Sequence, residues 1–182
     1  FEIVDYLESI GMRFGPEINA YTSFDETVYM LEVPTDDPAI LEKAFEILSE
    51  WAFRVSFEPE EIEKERGVIV EEWRLGRGAD GRIQEAELPV LLAGSRYADR
   101  LPIGKREVIE NAPVSEIVGF YRDWDRPDLM AVVAVGDFDP AVVEGLLRRT
   151  FSGFQGPERP REREVIRVPD HAEDLYSVVT DP

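Results

Sequence analysis

The sequence of 182 residues lacks cysteine altogether, has one histidine, and carries 20 basic side chains against 39 acidic ones. Without cysteine there is no disulfide, no thiolate metal ligand and no thiol nucleophile. The formal net charge of −19 repels phosphate backbones, which proteins bind through clustered lysine and arginine, so nucleic acid is an improbable partner. The acidic excess either keeps the protein soluble or favours basic ligands.

Long apolar runs are missing as well. No stretch approaches the length of a bilayer-spanning helix, and the first residues carry acids where a signal peptide carries bases. We therefore expect no transmembrane segment and no signal peptide within these residues. The chain begins at Phe1 without methionine and already in a helical pattern, which indicates a piece of a longer protein.

The apolar fraction of 43% is typical of one compact globular domain. Apolar side chains recur at helical spacing in six segments, which begin at acidic or proline-containing starts and end near glycine or proline. The predicted helices cover residues 1–10, 38–54, 56–75, 82–92, 115–124 and 140–150.

Runs rich in β-branched, aromatic and other apolar residues predict five strands. Residues 18–23 and 27–33 form a predicted β-hairpin around a turn at 24–26. The run over residues 129–135 is continuously apolar and predicts a strand buried on both faces. After a loop or linker at residues 153–163, two late strands are predicted at 165–168 and 175–180.

The third predicted helix contains the stretch "ERGVIVEEW", residues 65–73. Glu65 and Glu72 lie seven residues apart and fall on one side of the helix with Val68 and Ile69. Ile62 and Trp73 extend this apolar side, which the pattern predicts to be buried. A buried carboxylate without a partner is destabilising, so we expect a cation to face it. From the residues alone, either the edge of this face is wet or the partner is Arg13, Arg82 or Arg96.

The chain contains, in this order, the segments "FEIVDYLESIG", "NAYTSFDETVY", "PEEIEKERGVIVEEW", "RYADRLPIG" and "FYRDWDRPDLMAVVAVGDFD". Together they resemble the pitrilysin/insulinase family of zinc metallopeptidases, which includes the mitochondrial processing peptidases, and especially its large bacterial members. The likeness extends from Phe1 to about Phe154. It implies an α+β fold in which an antiparallel sheet is backed by helices. Residues 1–182 would form most of one peptidase-family domain, incomplete at its N-terminus.

The resemblance also implies a metal site. In the family, an inverted zinc motif, His-x-x-Glu-His, supplies two histidine ligands and the general base, and a glutamate on a later helix supplies the third ligand. The resemblance places this third ligand at Glu72 and an assisting glutamate of the catalytic site at Glu65. The two carboxylates would then face zinc, and the metal would be the missing cation.

One departure from the family pattern is plain. No His-x-x-Glu-His motif occurs in these residues, and the single histidine, His171, lies in a predicted loop. Zinc therefore needs two upstream histidines that this sequence does not contain, and we expect the segment to be inactive alone. Either it is part of an active zinc metalloendopeptidase, which the retention of Glu65 and Glu72 favours, or it belongs to a homologue that lost the motif and serves as a non-catalytic peptide-binding or subunit-assembly module.

A substrate site and partners follow from the same resemblance. In the family, the strand matching Asn19, Ala20, Tyr21 and Thr22 is an edge to which the substrate peptide adds as a further strand, whereas the residues alone favour an ordinary hairpin. The implied partners are a peptide or protein substrate and further homologous domains or a sister subunit. An unpaired sheet edge or an apolar face is therefore expected to be exposed. The compartment stays undetermined, and the periplasm fits a bacterial parent.

Overall fold

The computed structural model describes residues 2–13, 15 and 17–180, with the backbone alone for residues 2–4; Phe1, the first residue of the first predicted helix, lies outside them. The elements are α1 (Glu2–Ser9), β1 (Ile18–Thr22), β2 (Thr27–Leu31), α2 (Pro38–Phe53), α3 (Pro59–Leu75), α4 (Ala79–Leu91), α5 (Arg106–Asn111), α6 (Val114–Trp124) and α7 (Pro140–Phe151), with 3₁₀ turns at Arg96–Asp99 and Pro127–Leu129. The predicted α+β class is confirmed, although the sheet of the described residues has two strands.

The chain divides into two compact units. Unit 1 is made of residues 1–22, 26–56 and 118–161, and unit 2 of residues 23–25, 57–117 and 162–182. The hairpin strands and helices α1, α2 and α7 therefore belong to unit 1, and helices α3, α4 and α5 to unit 2. Among the described residues, no helix combines the length and the apolar character needed to cross a membrane.

The hairpin of unit 1 packs on helices through one buried strand residue. Strands β1 and β2 pair antiparallel, from Ile18 opposite Leu31 to Thr22 opposite Thr27. Ile18 is buried with Leu7 of α1, Met12 and Ile47 of α2, and the remaining β1 residues are exposed. The predicted hairpin is confirmed, and one residue fixes which face it turns to the core.

Helices α2 and α7 form the second hydrophobic cluster of unit 1 and begin in the same way. Asp37 and Asp139 each accept a hydrogen bond of 2.8 Å from the backbone N–H two residues later, and each is followed by a proline. The carboxylate satisfies a donor that the helix leaves free, and proline has none to satisfy. The two helices then pack through Phe45, Val143 and Leu146, so the starts that the sequence predicts are confirmed.

Unit 2 buries fewer side chains than unit 1. None of its described residues is fully buried. Helix α3 packs against α5, and α4 packs against the 3₁₀ turn Arg96–Asp99. Helix α4 begins at Ala79, three residues before the predicted start at residue 82, so Gly81 lies in its first turn. Helix α5 was not predicted, because six residues are too few to show an apolar period.

The predicted strand over residues 129–135 is wrong. Leu129 ends a 3₁₀ turn, and the chain that follows makes no β ladder. Val133 and Val135 are 82% and 92% exposed, while Ala134 packs on the cluster of α2 and α7. A strand must exchange hydrogen bonds with a neighbour, and the described residues offer this segment none.

The two late strands predicted at residues 165–168 and 175–180 are also wrong. Neither segment pairs with another strand in the described chain, and Val165 and Val178 are exposed. Their β-branched residues favour extended backbone, but extended backbone alone is not a sheet. The described residues after α7 contain no helix or strand.

Candidate metal centre

Helix α3 carries the two glutamates on which the predicted metal site depends. Its start has Pro59 at the first helical position, with Glu60 and Glu61 in the first turn, where acids complement the helix dipole. Its last turn carries Arg74, which suits the carboxyl end. The local sequence thus favours a helix that continues past both candidate residues.

The side of α3 that packs on the unit agrees with the predicted one at Ile62, Ile69 and Trp73 and differs from it at Val68 and the two glutamates. The half-buried apolar residues are Ile62, Ile69, Val70 and Trp73, and with them lies Arg66, whose side chain is 12% exposed. Arg66 donates hydrogen bonds from its guanidinium to the backbone carbonyls of Ile109, at 2.6 Å, and Ala112. The polar group turned toward the unit is therefore an arginine that finds carbonyl acceptors on and beside α5.

Glu65 and Glu72 are exposed, so the prediction that they point inward is wrong. Val68, which lies between them on the same side, is 58% exposed, and Leu75 is 72% exposed. Because the spacing of 3, 4 and 3 residues keeps these four side chains on one side of the helix, they form an outward stripe. We call Glu65, Val68, Glu72 and Leu75 the α3 stripe.

Within the described residues, the six glutamates of α3 divide into three that are paired and three that are not, and Glu65 and Glu72 share the second group with Glu60 in the first turn. Three other glutamates of α3 each pair with a basic residue three positions later, at 2.5 to 2.9 Å: Glu61 with Lys64, Glu63 with Arg66 and Glu71 with Arg74. In the described part of the chain, neither Glu65 nor Glu72 has an ion pair or a side-chain hydrogen bond. The stripe thus presents two carboxylates whose oxygens remain available to a ligand.

The arginines that the sequence offered as partners bond to other groups. Arg13 pairs with Glu17 at 3.0 Å, and Arg96 pairs with Glu164 at 2.5 Å. Arg82 donates to the backbone carbonyl of Arg77 at 2.8 Å. The charge of the α3 stripe is therefore left to solvent, and no desolvation penalty requires a cation for folding.

The surroundings of Glu72 are shallow and largely apolar. An open depression beside it is lined by side chains and backbone of Lys64, Gly67, Val68, Glu71, Leu75 and Gly76. Val68 and Leu75 give it its apolar walls, so the exposed apolar face expected from the sequence is present.

The donors of the stripe fit zinc only in part. Carboxylate oxygens are ordinary zinc ligands, but a zinc site needs three or four protein donors. Among the described residues, no three His, Cys, Asp or Glu side chains come together in a way that could hold a metal. The single histidine, His171, is exposed and lies in a segment without helix or strand. The stripe can supply one ligand and a neighbouring carboxylate, and further ligands must come from elsewhere.

The candidate substrate strand lies in unit 1 and is described separately from α3. Asn19, Ala20, Tyr21 and Thr22 are exposed, and β1 pairs with β2 along one edge only within the described residues. Tyr21 donates a hydrogen bond of 2.9 Å to Glu26, which raises the pKa of Tyr21 and keeps the phenol neutral. The second edge of β1 pairs with no strand among the described residues, and the N–H of Ala20 donates to Oδ1 of Asn19 at 2.8 Å. We call this second edge the free edge of β1.

Two family matches cover most of the chain. Residues 1–76 match the family described as Insulinase (Peptidase family M16), and residues 112–182 match its Peptidase M16 inactive domain. The chain belongs to peptidase family M16. The pitrilysin/insulinase resemblance inferred from the five sequence segments is therefore confirmed.

Curated relatives of this M16 chain are named zinc proteases. "Zinc protease PQQL-like" of Arabidopsis thaliana is 43% identical over 97% of the chain, and "Probable zinc protease PqqL" of Escherichia coli is 39% identical over 83% of it. The aligned parts are 18% and 16% of those two proteins, so the chain spans less than a fifth of the length of either. Stromal processing peptidase of Arabidopsis thaliana is 30% identical over 72% of the chain and 11% of its own length.

The fold is shared with a solved structure. The first half of the periplasmic protease PqqL from Escherichia coli matches 94% of the chain and 36% of that structure, with a TM-score of 0.85 and 37% identity. A protease from Helicobacter pylori matches 93% of the chain and 38% of its own, with a TM-score of 0.73 at 23% identity, which speaks for the fold alone. The predicted peptidase-family fold is confirmed.

Arg66 is the inward-facing residue of α3 that is not predicted from the sequence. It lies on the packed side of α3, four residues after Ile62 and three before Ile69. A helical wheel centred on Ile62, Ile69 and Trp73 places Arg66 inward and puts Glu65 and Glu72 on the flank of this face, about 60° to 80° from its centre. Including the exposed Val68 in the predicted face rotates its centre toward the glutamates.

Proposed function

We propose that the chain is part of a zinc-dependent metalloendopeptidase that hydrolyses peptide bonds, with Glu72 as its third zinc ligand. The observation that carries the proposal is the α3 stripe of an M16 chain, where Glu65 and Glu72 stay unpaired while three other glutamates of the helix are paired. No basic residue lies three or four positions from Glu65 or Glu72, the spacings at which ion pairs stabilise a helix. Two unpaired carboxylates on one side of a helix are available to bind a metal ion and to accept hydrogen bonds beside it.

The two glutamates have different roles in this proposal. Glu72 would give one carboxylate oxygen to the metal, and Glu65, two helical turns earlier, would accept hydrogen bonds and add negative charge beside the site. Zinc would supply the chemistry of a Lewis acid, which activates water and stabilises developing negative charge at a peptide carbonyl. The two histidine ligands and the general base of the family motif do not occur among residues 1–182, so we expect this segment alone to be inactive.

The free edge of β1 would bind the substrate. Extended peptides that add to a sheet edge are held by main-chain hydrogen bonds, so affinity depends little on their sequence. Asn19 to Thr22 provide this edge, and the burial of Ile18 holds β1 in register at one end. The proposed substrate is thus a peptide or an unfolded protein segment, with Asn19, Ala20, Tyr21 and Thr22 as its binding residues.

The wider setting is part of the proposal. Residues 1–182 would form most of one peptidase-family domain, which works with further homologous domains or a sister subunit to enclose the substrate. The relatives that are about five times longer leave ample room for such domains. A periplasmic parent is proposed because the E. coli protein with the matching structure is described as periplasmic.

A second candidate function is a non-catalytic module that binds a peptide or a sister subunit. The match of residues 112–182 to the Peptidase M16 inactive domain favours it. In that case Glu72 would hold no metal, and the free edge of β1 would carry the function. The two candidates make different predictions for a change at Glu72.

The first experiment measures peptide hydrolysis by the full-length protein that contains this chain. Glu72→Gln should lower kcat/KM by more than about 100-fold, since even outer-shell changes at metal sites commonly cost 10 to 100-fold. Glu71→Gln is the matched control, because Glu71 pairs with Arg74 on the same helix and should leave activity within about twofold. Equal activity of both variants would reject the peptidase role of Glu72 and leave the binding module.

The second experiment tests the edge strand with peptides that carry a single N-methyl group. Methylation removes one backbone donor, so in a strand-addition complex it should weaken binding by about tenfold at alternate positions only. Binding to an inactive Glu72→Gln protein can be followed by fluorescence anisotropy. A loss that is uniform along the peptide, or no loss at all, would reject the edge of β1 as the substrate site.

A further inference from the structure

Helix α5 ends in a way that leaves acceptors without backbone donors. The carbonyl of Ile109 would ordinarily receive the N–H of residue 113, but Pro113 has none. Ala112, directly before this proline, is extended at ψ 128° and lies outside the helix. Two carbonyls at the end of α5 therefore need donors from another element.

Arg66 of α3 supplies these donors. Its Nη1 donates to the carbonyl of Ile109 at 2.6 Å and its Nη2 to the carbonyl of Ala112, while its Nε donates to Glu63 at 2.9 Å. One planar guanidinium thus caps the carboxyl end of α5, where positive charge also complements the helix dipole. Arg66, Ile109 and Ala112 all belong to unit 2.

A second contact between the same helices lies one double turn along α3. The guanidinium of Arg106, at the start of α5, lies 5.9 Å from the ring centroid of Trp73, and Arg77 lies 4.6 Å from it. Arg66 directly follows Glu65, and Trp73 directly follows Glu72. Each outward glutamate of the α3 stripe is therefore adjacent to a residue that is fixed on α5.

We propose that Arg66 is a positioning residue of the metal site: by capping α5 it fixes the rotation of α3 about its axis and so the direction in which Glu65 and Glu72 point. Helix α3 has no fully buried residue to fix that rotation, so the hydrogen bonds of Arg66 to the end of α5 fix it instead. The inference rests on the proposed role of Glu72 as a zinc ligand.

The test compares Arg66→Lys with Arg74→Lys in the full-length protein. Lysine keeps the charge but cannot donate to two carbonyls in the fixed fork of arginine. Arg74 is the matched control, because it lies on the same helix, pairs with Glu71 and is exposed. Two readouts are needed: zinc affinity, with the visible spectrum of the cobalt-substituted protein, and hydrogen exchange of residues 62–73 in the metal-free protein.

Arg66→Lys should weaken zinc binding by about 10 to 100-fold, as changes to supporting residues of metal sites commonly do, and alter the cobalt spectrum. It should also speed exchange on α3 without metal, and Arg74→Lys should do neither. Unchanged zinc affinity and cobalt spectrum in Arg66→Lys would overturn the inference, even if the protein were less thermostable. If Glu72→Gln binds zinc as tightly as the parent, Glu72 is not a metal ligand, and hydrogen exchange becomes the deciding readout for Arg66. Faster exchange in Arg66→Lys would then support the positioning of α3, and unchanged exchange would overturn it.

Discussion

Helices α2 and α3 are nearly equal in length, 16 and 17 residues, and are used in opposite ways. Helix α2 buries four residues and begins at an aspartate cap, whereas α3 buries none and its Glu58 makes no capping bond. Helix α3 instead keeps one side open, with two unpaired glutamates and two exposed apolar residues. The difference separates two tasks: α2 stabilises its unit, and in our proposal α3 presents groups for binding.

The largest effect that this comparison predicts is in the core. Ile47 of α2 is 1% exposed and lies in the cluster of α1 and the hairpin, so Ile47→Ala should lower the free energy of unfolding by about 2–5 kcal/mol. Val68→Ala on the α3 stripe should change it by less than about 0.5 kcal/mol, as is usual for surface positions. Urea denaturation of both variants measures the two values. Similar losses at the two positions would remove the distinction between the helices.

A smaller effect is expected at the two helix starts. Asp37→Ala removes the carboxylate that accepts the N–H of Ala39 and should cost about 1 kcal/mol. Glu58→Ala, at the equivalent position before α3, removes no capping bond and should cost a few tenths at most. Thermal melts of the pair give the comparison directly. A loss for Glu58→Ala as large as that for Asp37→Ala would show that α3 is capped after all.

The smallest effect concerns a carboxyl beside α2. Burial raises the pKa of Asp125, which lies near Tyr29 and Tyr121, and the hydroxyl of Tyr121 donates to the carbonyl of Trp51 in α2 at 3.3 Å. The folded state then binds the proton more tightly than the unfolded state, so stability decreases as pH rises from the unfolded-state pKa through the folded-state pKa.

Asp125→Asn should remove this loss. We expect a Tm about 1–2 °C higher than that of the parent at neutral pH, and no gain below the unfolded-state pKa of the carboxyl. Melts at several pH values measure the difference. A gain of the same size at every pH would mean that packing, and not ionisation, sets the effect.

The sequence was sufficient where local signals and tertiary contacts agree. The starts at Asp37-Pro38 and Asp139-Pro140, and the hairpin of β1 and β2, were predicted because caps, proline and period-two patterning all operate within a few residues. The family resemblance carried the assignment of Glu65 and Glu72, which remains a prediction. The resemblance can be identified because the residues around Glu65 and Glu72 follow the family pattern in the same order.

Prediction from the sequence failed where the local structure depends on a residue far away along the chain. Residues 129–135 have the composition of a buried strand, but a strand forms only beside another, and this is not a local property. The prediction that Glu65 and Glu72 of α3 point inward was wrong for a similar reason. Arg66 turns inward because Pro113 leaves a carbonyl of α5 free, and that carbonyl is 43 residues away along the chain.

The most direct test of the central claim is the zinc content of the full-length protein that contains this chain, measured by elemental analysis for the parent, Glu72→Gln and Glu71→Gln. We predict about one zinc per catalytic site in the parent and in Glu71→Gln, and a strongly reduced content in Glu72→Gln. A zinc content that is the same in all three proteins would contradict the assignment of Glu72 as a metal ligand and, with it, the reading of the α3 stripe as a metal site.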